Sequence, residues 1–123
     1  GATPTPQQVA VTFSVTVPAG TPVTSTVYIV GNQAAFCNWC NPHTVSLTLA
    51  ATNAWSITLT FPEGANLAYK YTLGSWNFVE KTASCGDNPA TQDGNRLLSI
   101  GNSATQPVTE VVANWRNVAP CGN

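Results

Sequence analysis

Charge is what this sequence has least of. Only 7% of its 123 residues are Asp, Glu, Lys or Arg, against roughly 25% in ordinary soluble domains. The formal net charge is −1, so the electrostatic footprint of a nucleic-acid binder is missing. The same balance gives no reason to expect an anionic membrane surface as partner. No apolar run approaches the roughly 20 residues that span a bilayer. Methionine is absent and histidine occurs once, at His43. A Ser-His-Asp arrangement would need that histidine, and no carboxylate lies near it in sequence; it reads as a loop residue bonded locally rather than as a general base. There is no Gly-rich phosphate loop and no HExxH. No segment carries a long amphipathic-helix period, and no internal repeat is visible. Nothing here calls for a cofactor or points to an enzyme.

What is present is alternation. One domain with a real core fits 123 residues, and two do not. Residues 1–8, GATPTPQQ, form a Thr/Pro-rich stretch without apolar period and read as a linker or tail, leaving 9–123 as a single domain. Val9, Val11, Phe13, Val15 and Val17 then alternate with small polar residues, the mark of a half-buried strand. Further strands are expected over Val27–Val30, Thr44–Leu49, Trp55–Phe61, Leu67–Leu73, Phe78–Lys81, Arg96–Ile100 and Val108–Trp115. About eight short strands with turn signals every 8–12 residues predict an all-β fold, an antiparallel β-sandwich or open barrel.

The four cysteines admit two chemistries. Cys37-Asn38-Trp39-Cys40 followed by His43 has the start of a zinc pattern, with Cys85 or Cys121 completing it. A charge-poor chain rich in Thr, Ser, Asn and Gln favours two disulfides, formed outside the cell. Four cysteines allow three pairings, and all remain open from the sequence. The chain opens Gly1-Ala2-Thr3 without a methionine. It reads as a processed, secreted product, with a removed signal peptide as the simplest cause. The carboxylates are Glu63, Glu80, Asp87, Asp93 and Glu110. A glycosidase needs two at a fixed spacing. Glu63 in a turn, and Asp87 and Asp93 in a polar loop, read instead as solvated.

The most informative stretch is Leu67–Lys81, LAYKYTLGSWNFVEK. Its strand puts Leu67, Tyr69 and Tyr71 on one face and Ala68, Lys70 and Thr72 on the other. It turns at Leu73-Gly74-Ser75 and then presents Trp76 beside Asn77. Sugar rings stack their apolar faces on indoles, while amide and ammonium groups meet their hydroxyls. Taken with VTFSVTVP (Val11–Pro18), TVYIVGN (Thr26–Asn32), NWCNP (Asn38–Pro42), Trp55–Phe61, Asn95-Arg96 and VVANWR (Val111–Arg116), the chain resembles the starch-binding modules of carbohydrate-binding family 20. It is closer still to the related modules flanking pullulanase- and amylase-like enzymes. The resemblance runs from Val9 to Arg116.

That resemblance implies a Greek-key, immunoglobulin-like β-sandwich and a non-catalytic domain that recognises α-glucan such as starch or glycogen. It places a first binding site on Trp39, Lys70, Trp76 and Asn95, and a second on Tyr28 and Trp55. There are departures. The family's second tryptophan directly precedes the glutamate matching Glu80; Val79 stands there and Trp76 lies three residues earlier. The segment Thr82–Gly94, carrying Cys85, is longer than the usual link. From the residues alone, Trp55 and Trp115 fit core packing, and Lys70 fits a solvated edge position. Such modules normally serve an attached enzyme, which motivates an alternative: a structural extracellular filament or surface-layer subunit that retains the sandwich and self-associates through its N-terminal strand.

Overall fold

The computed structural model describes residues 5–122; the first four residues of the Thr/Pro-rich stretch and the last residue lie outside the described part. Among the described residues nine strands follow one another: β1 (Gln8–Thr16), β2 (Tyr28–Gly31), β3 (Thr48–Ala51), β4 (Ala54–Pro62), β5 (Asn66–Thr72), β6 (Glu80–Lys81), β7 (Arg96–Ser99), β8 (Thr105–Val111) and β9 (Asn114–Trp115). One sheet has the order β3-β4-β1-β8, a second β2-β5-β7, and β6 pairs with β9. The fold is an all-β sandwich, and its core forms where the inward sets of the two large sheets meet. Val9, Val11, Phe13 and Val15 of β1 and Phe61 of β4 pack with Ile29 of β2 and Leu67, Tyr69 and Tyr71 of β5, all buried. Phe13 sits edge-on to Tyr69 at 5.4 Å between ring centres and to Phe36 at 5.8 Å, within the favoured range for aromatic pairs.

Three features differ from a plain antiparallel sandwich. β1 pairs antiparallel with β4 but parallel with β8, with Phe13 opposite both Ile57 and Val108. β1 is therefore paired on both sides, and the strand invoked for self-association offers no open edge. Second, the alternation over Thr44–Leu49 serves two sheets. Ser46 bridges to Tyr28, whereas Thr48 and Leu49 pair with Ser56 and Trp55 of β4. The β3–β4 register then shifts between Leu49 and Ala51, and Leu49 is 56% exposed despite its apolar phase. Third, the segment read as Val108–Trp115 is two strands. Val112 still donates to the Thr16 carbonyl, after which the chain leaves for β6. The phase slips at that point, so Val111 is exposed while Trp115 is buried. Pro107 lies inside β8, which tolerates it as an edge strand.

A buried polar clasp joins the sheets. Tyr69 and Tyr71 of β5 both donate their hydroxyls to Glu110 of β8, at 2.9 and 2.7 Å. Arg96 of β7 donates to Glu80 at 2.7 Å and lies 3.4 Å from Glu110. Burial, then the Glu110 charge, pushes both tyrosine pKa values up, so the hydroxyls stay protonated donors. This clasp fixes the inner face of β5 and with it the direction of the outer face.

Candidate functional site: an aromatic cleft on the outer face of β5

The period-two geometry of β5 puts Lys70 and Thr72 on the face opposite Tyr69 and Tyr71, which point into the core; Lys70 is half-buried there and Thr72 is fully covered. After β5, Gly74 takes φ +116°, and the ring of Tyr28 lies 3.4 Å from where a Cβ would stand. This turn delivers Trp76, which begins a short 3-10 turn ending at Phe78. Trp39 arrives from the other side. Its loop is pinned by Phe36, fully buried against the β2 end, where only glycine fits: a Cβ on Gly31 would stand 2.5 Å from the Ala68 carbonyl oxygen and 2.6 Å from the Phe36 ring. Beyond Phe36, Cys37, Asn38 and Trp39 hold φ values of 72°, 50° and 61°. Three successive non-glycine residues in the left-handed region carry strain. A Cys37–Cys40 disulfide closes this turn, and the Thr44 hydroxyl donates to Cys37 Sγ at 3.3 Å.

The third wall is the segment before β7. A Cys85–Cys121 disulfide ties it to the C-terminal end, and Lys81 pairs with Asp87 at 2.6 Å. The two disulfides leave no free thiol among the described residues, so the cysteine-based zinc pattern has no thiolate ligands. Asn95 donates its backbone N–H to the Thr91 hydroxyl at 2.8 Å, which presents its side chain next to β5.

These elements converge on one open cleft of about 400 Å³, lined by Trp39, Lys70, Trp76, Asp93 and Asn95. The indoles of Trp39 and Trp76 lie 6.2 Å apart between centres, tilted by 39°. Lys70 Nζ stands 5.6 Å from the Trp76 ring centre, in cation–π range. The cleft thus combines two tilted apolar faces, an ammonium donor, a carboxamide and a carboxylate acceptor. It supplies stacking surface and hydrogen-bond partners for a neutral polyhydroxylated ring. Four of these residues were named from the sequence; Asp93, read there as solvated, is exposed and also lines the cleft.

Beneath Trp76 lies a residue whose role the sequence did not reveal. His43 is only 5% exposed, and its ring packs edge-on to Trp76 with centres 4.4 Å apart. Its Nδ1 shares a 2.6 Å hydrogen bond with the Thr72 hydroxyl. That hydroxyl oxygen also accepts the Gly74 N–H at 3.1 Å. The partner is therefore across the fold on β5, not local in the loop. Burial lowers the His43 pKa, favouring the neutral ring.

The remaining candidates lie elsewhere. Trp55 is half-buried in a separate, largely apolar cleft of about 210 Å³ with Val17, Pro22, Val23 and Leu49 among its walls. Tyr28 is not among those lining residues; it abuts Gly74 and pairs with Thr72. Trp115 is buried and donates its indole N–H to the Thr21 hydroxyl at 2.8 Å. Glu80 and Glu110 are both engaged by Arg96, and Glu63 accepts the Gln7 N–H.

Known proteins bear on this arrangement. Residues 8–106 match the family described as starch binding domain, carbohydrate-binding module family 20. The chain is 42% identical over 120 residues to the amylopullulanase of Thermoanaerobacter thermohydrosulfuricus, covering 95% of this chain and 8% of that protein. It is 39% identical over 112 residues to an α-amylase of Niallia circulans, covering 91% of this chain and 8% of that protein. The chain thus spans less than a tenth of these curated relatives. The solved family 20 module of the maltotetraose-forming amylase from Pseudomonas saccharophila STB07 superposes with a TM-score of 0.52 at 22% identity, covering 82% of this chain and 99% of that one; at that identity the likeness speaks for the fold. On the family match across most of its length, this chain belongs to the starch-binding domains of carbohydrate-binding module family 20.

Proposed function

We propose that the chain binds α-glucan without catalysis, through the cleft between Trp39 and Trp76. Consecutive glucose units lay their C–H faces on the two indoles, whose tilt follows the curvature of an α-linked chain. Lys70 and Asn95 donate hydrogen bonds to sugar oxygens, and Asp93 accepts from ring hydroxyls. The observation that carries this reading is the convergence of both indoles and three polar side chains on one cleft. Affinity at one such site is micromolar to millimolar, since each stacked ring contributes on the order of 1–3 kcal/mol by analogy with base–aromatic stacking. Trp55, at its own apolar cleft, is the candidate for a second contact that raises avidity on a polymer.

The relatives named amylopullulanase and α-amylase support a setting in which the domain tethers a starch-degrading hydrolase to its substrate. Two disulfides support action outside the cell. Electrophoresis in a gel containing amylopectin tests the reading. The chain is expected to be retarded, with Trp39→Ala and Trp76→Ala each removing most of the shift. Migration unchanged by amylopectin would sink the proposal.

A further inference from the structure

We propose that His43 is a positioning residue for the binding cleft: its neutral imidazole seats Trp76, and protonation of that ring unseats Trp76 and weakens glucan binding. The inference rests on the glucan reading above and adds to it a proton linkage carried by a residue outside the cleft.

The geometry leaves the imidazole few options. One nitrogen is committed to Thr72 at 2.6 Å. The other, Nε2, is buried without any hydrogen-bond partner, an expensive arrangement for a polar atom. The Trp76 ring stands edge-to-face with the imidazole, centres 4.4 Å apart, so the indole covers the histidine without giving Nε2 a hydrogen bond. The His43 backbone N–H also donates to the Gly74 carbonyl at 3.3 Å. Histidine loop, β5 and tryptophan turn are therefore locked as one unit.

An imidazolium fits this slot badly. From β5 it meets the Thr72 hydroxyl, and the cation Lys70 of the same strand stands over the indole that covers it. The turn from Gly74 to Trp76 brings no ionisable side chain. The loop from Cys37 to Thr44 brings only cysteines that are tied in a disulfide. Among the described residues no carboxylate forms an ion pair with His43. A second proton would thus sit buried and unpaired. Burial lowers the His43 pKa from the ordinary 6.5. The sign follows: the seated arrangement is fully populated above about pH 6.5 and is lost as pH falls through the lowered value.

This chain makes the test unusually direct, because it has a single histidine. The imidazole C–H resonance is followed by NMR from about pH 8 to about pH 5, above the ordinary carboxylate range, with and without saturating maltoheptaose. Its midpoint is expected below the ordinary histidine value, and the Trp76 indole N–H is expected to move with the same midpoint. Bound maltoheptaose lowers that midpoint further, because linkage is reciprocal; a drop of one unit means about tenfold weaker binding to the protonated form. His43→Gln is expected to bind several-fold more weakly with no pH dependence across this window. A Trp76 indole indifferent to the histidine titration overturns the proposal, as does a midpoint unchanged by bound sugar or a variant that keeps the wild-type pH slope. If maltoheptaose fails to bind at any pH, the glucan reading falls; the indole titration of the free protein still decides the His43–Trp76 coupling. The wild-type measurements need no variant to fold.

Discussion

A glucose ring has two chemistries, an apolar C–H face and a rim of hydroxyls, and individual side chains in the cleft answer each. In the proposed binding mode Trp39 and Trp76 meet the face, and Lys70, Asn95 and Asp93, which line the same cleft, meet the rim. Truncating either indole to alanine is expected to cost about 1–3 kcal/mol of binding, or roughly five- to 150-fold in Kd. Isothermal titration with maltoheptaose measures it, while circular dichroism should show the fold intact because both rings stand at the surface side of the sheet. Lys70→Ala removes one donor and the cation against Trp76, so a smaller, several-fold loss is expected from the same titration. At this scale the sequence was informative where residue type and motif order coincide, as at Trp39, Lys70, Trp76 and Asn95. It misled at His43, read as bonded locally within its loop, because the partner Thr72 lies 29 residues away on β5. Asp93 was equally hidden, since only the folded path of the 82–95 segment brings it to the cleft.

At the scale of elements, two short devices hold the site in place. One is the left-handed run Cys37–Trp39, closed by its own disulfide. Replacing both Cys37 and Cys40 by serine lets these residues relax toward ordinary backbone conformations and swings Trp39 away from Trp76. Glucan affinity is expected to fall several-fold by titration, with only a small change in Tm, because a loop of so few residues restricts the unfolded chain little. The other device is the clasp on Glu110. Glu110→Ala strands two tyrosine hydroxyls and leaves Arg96 with one carboxylate fewer; a loss of about 3–5 kcal/mol in urea unfolding is expected. Strand existence was legible from the period of two. The sheet crossover after Thr44 and the break between Val111 and Asn114 were not, because alternation marks faces without telling which sheet a strand joins.

The whole molecule is a small sandwich that carries the candidate cleft on one outer face and ties the segment before β7, which forms one wall of it, to the region of Cys121. The Cys85–Cys121 bridge, 36 residues apart in sequence, restricts the unfolded chain far more than the short one. Its double serine variant is expected to lose about 3–4 kcal/mol on the chain-entropy account, read as a fall in Tm larger than that of the Cys37/Cys40 variant. These two variants are thus expected to separate a loss of stability from a loss of binding. The measurement that tests the central claim most directly follows the four indole N–H resonances of the intact domain during titration with maltoheptaose. The account predicts that Trp39 and Trp76 shift together along one binding curve while buried Trp115 stays still. Saturable binding that leaves Trp39 and Trp76 unmoved, or no binding at millimolar sugar, would contradict it.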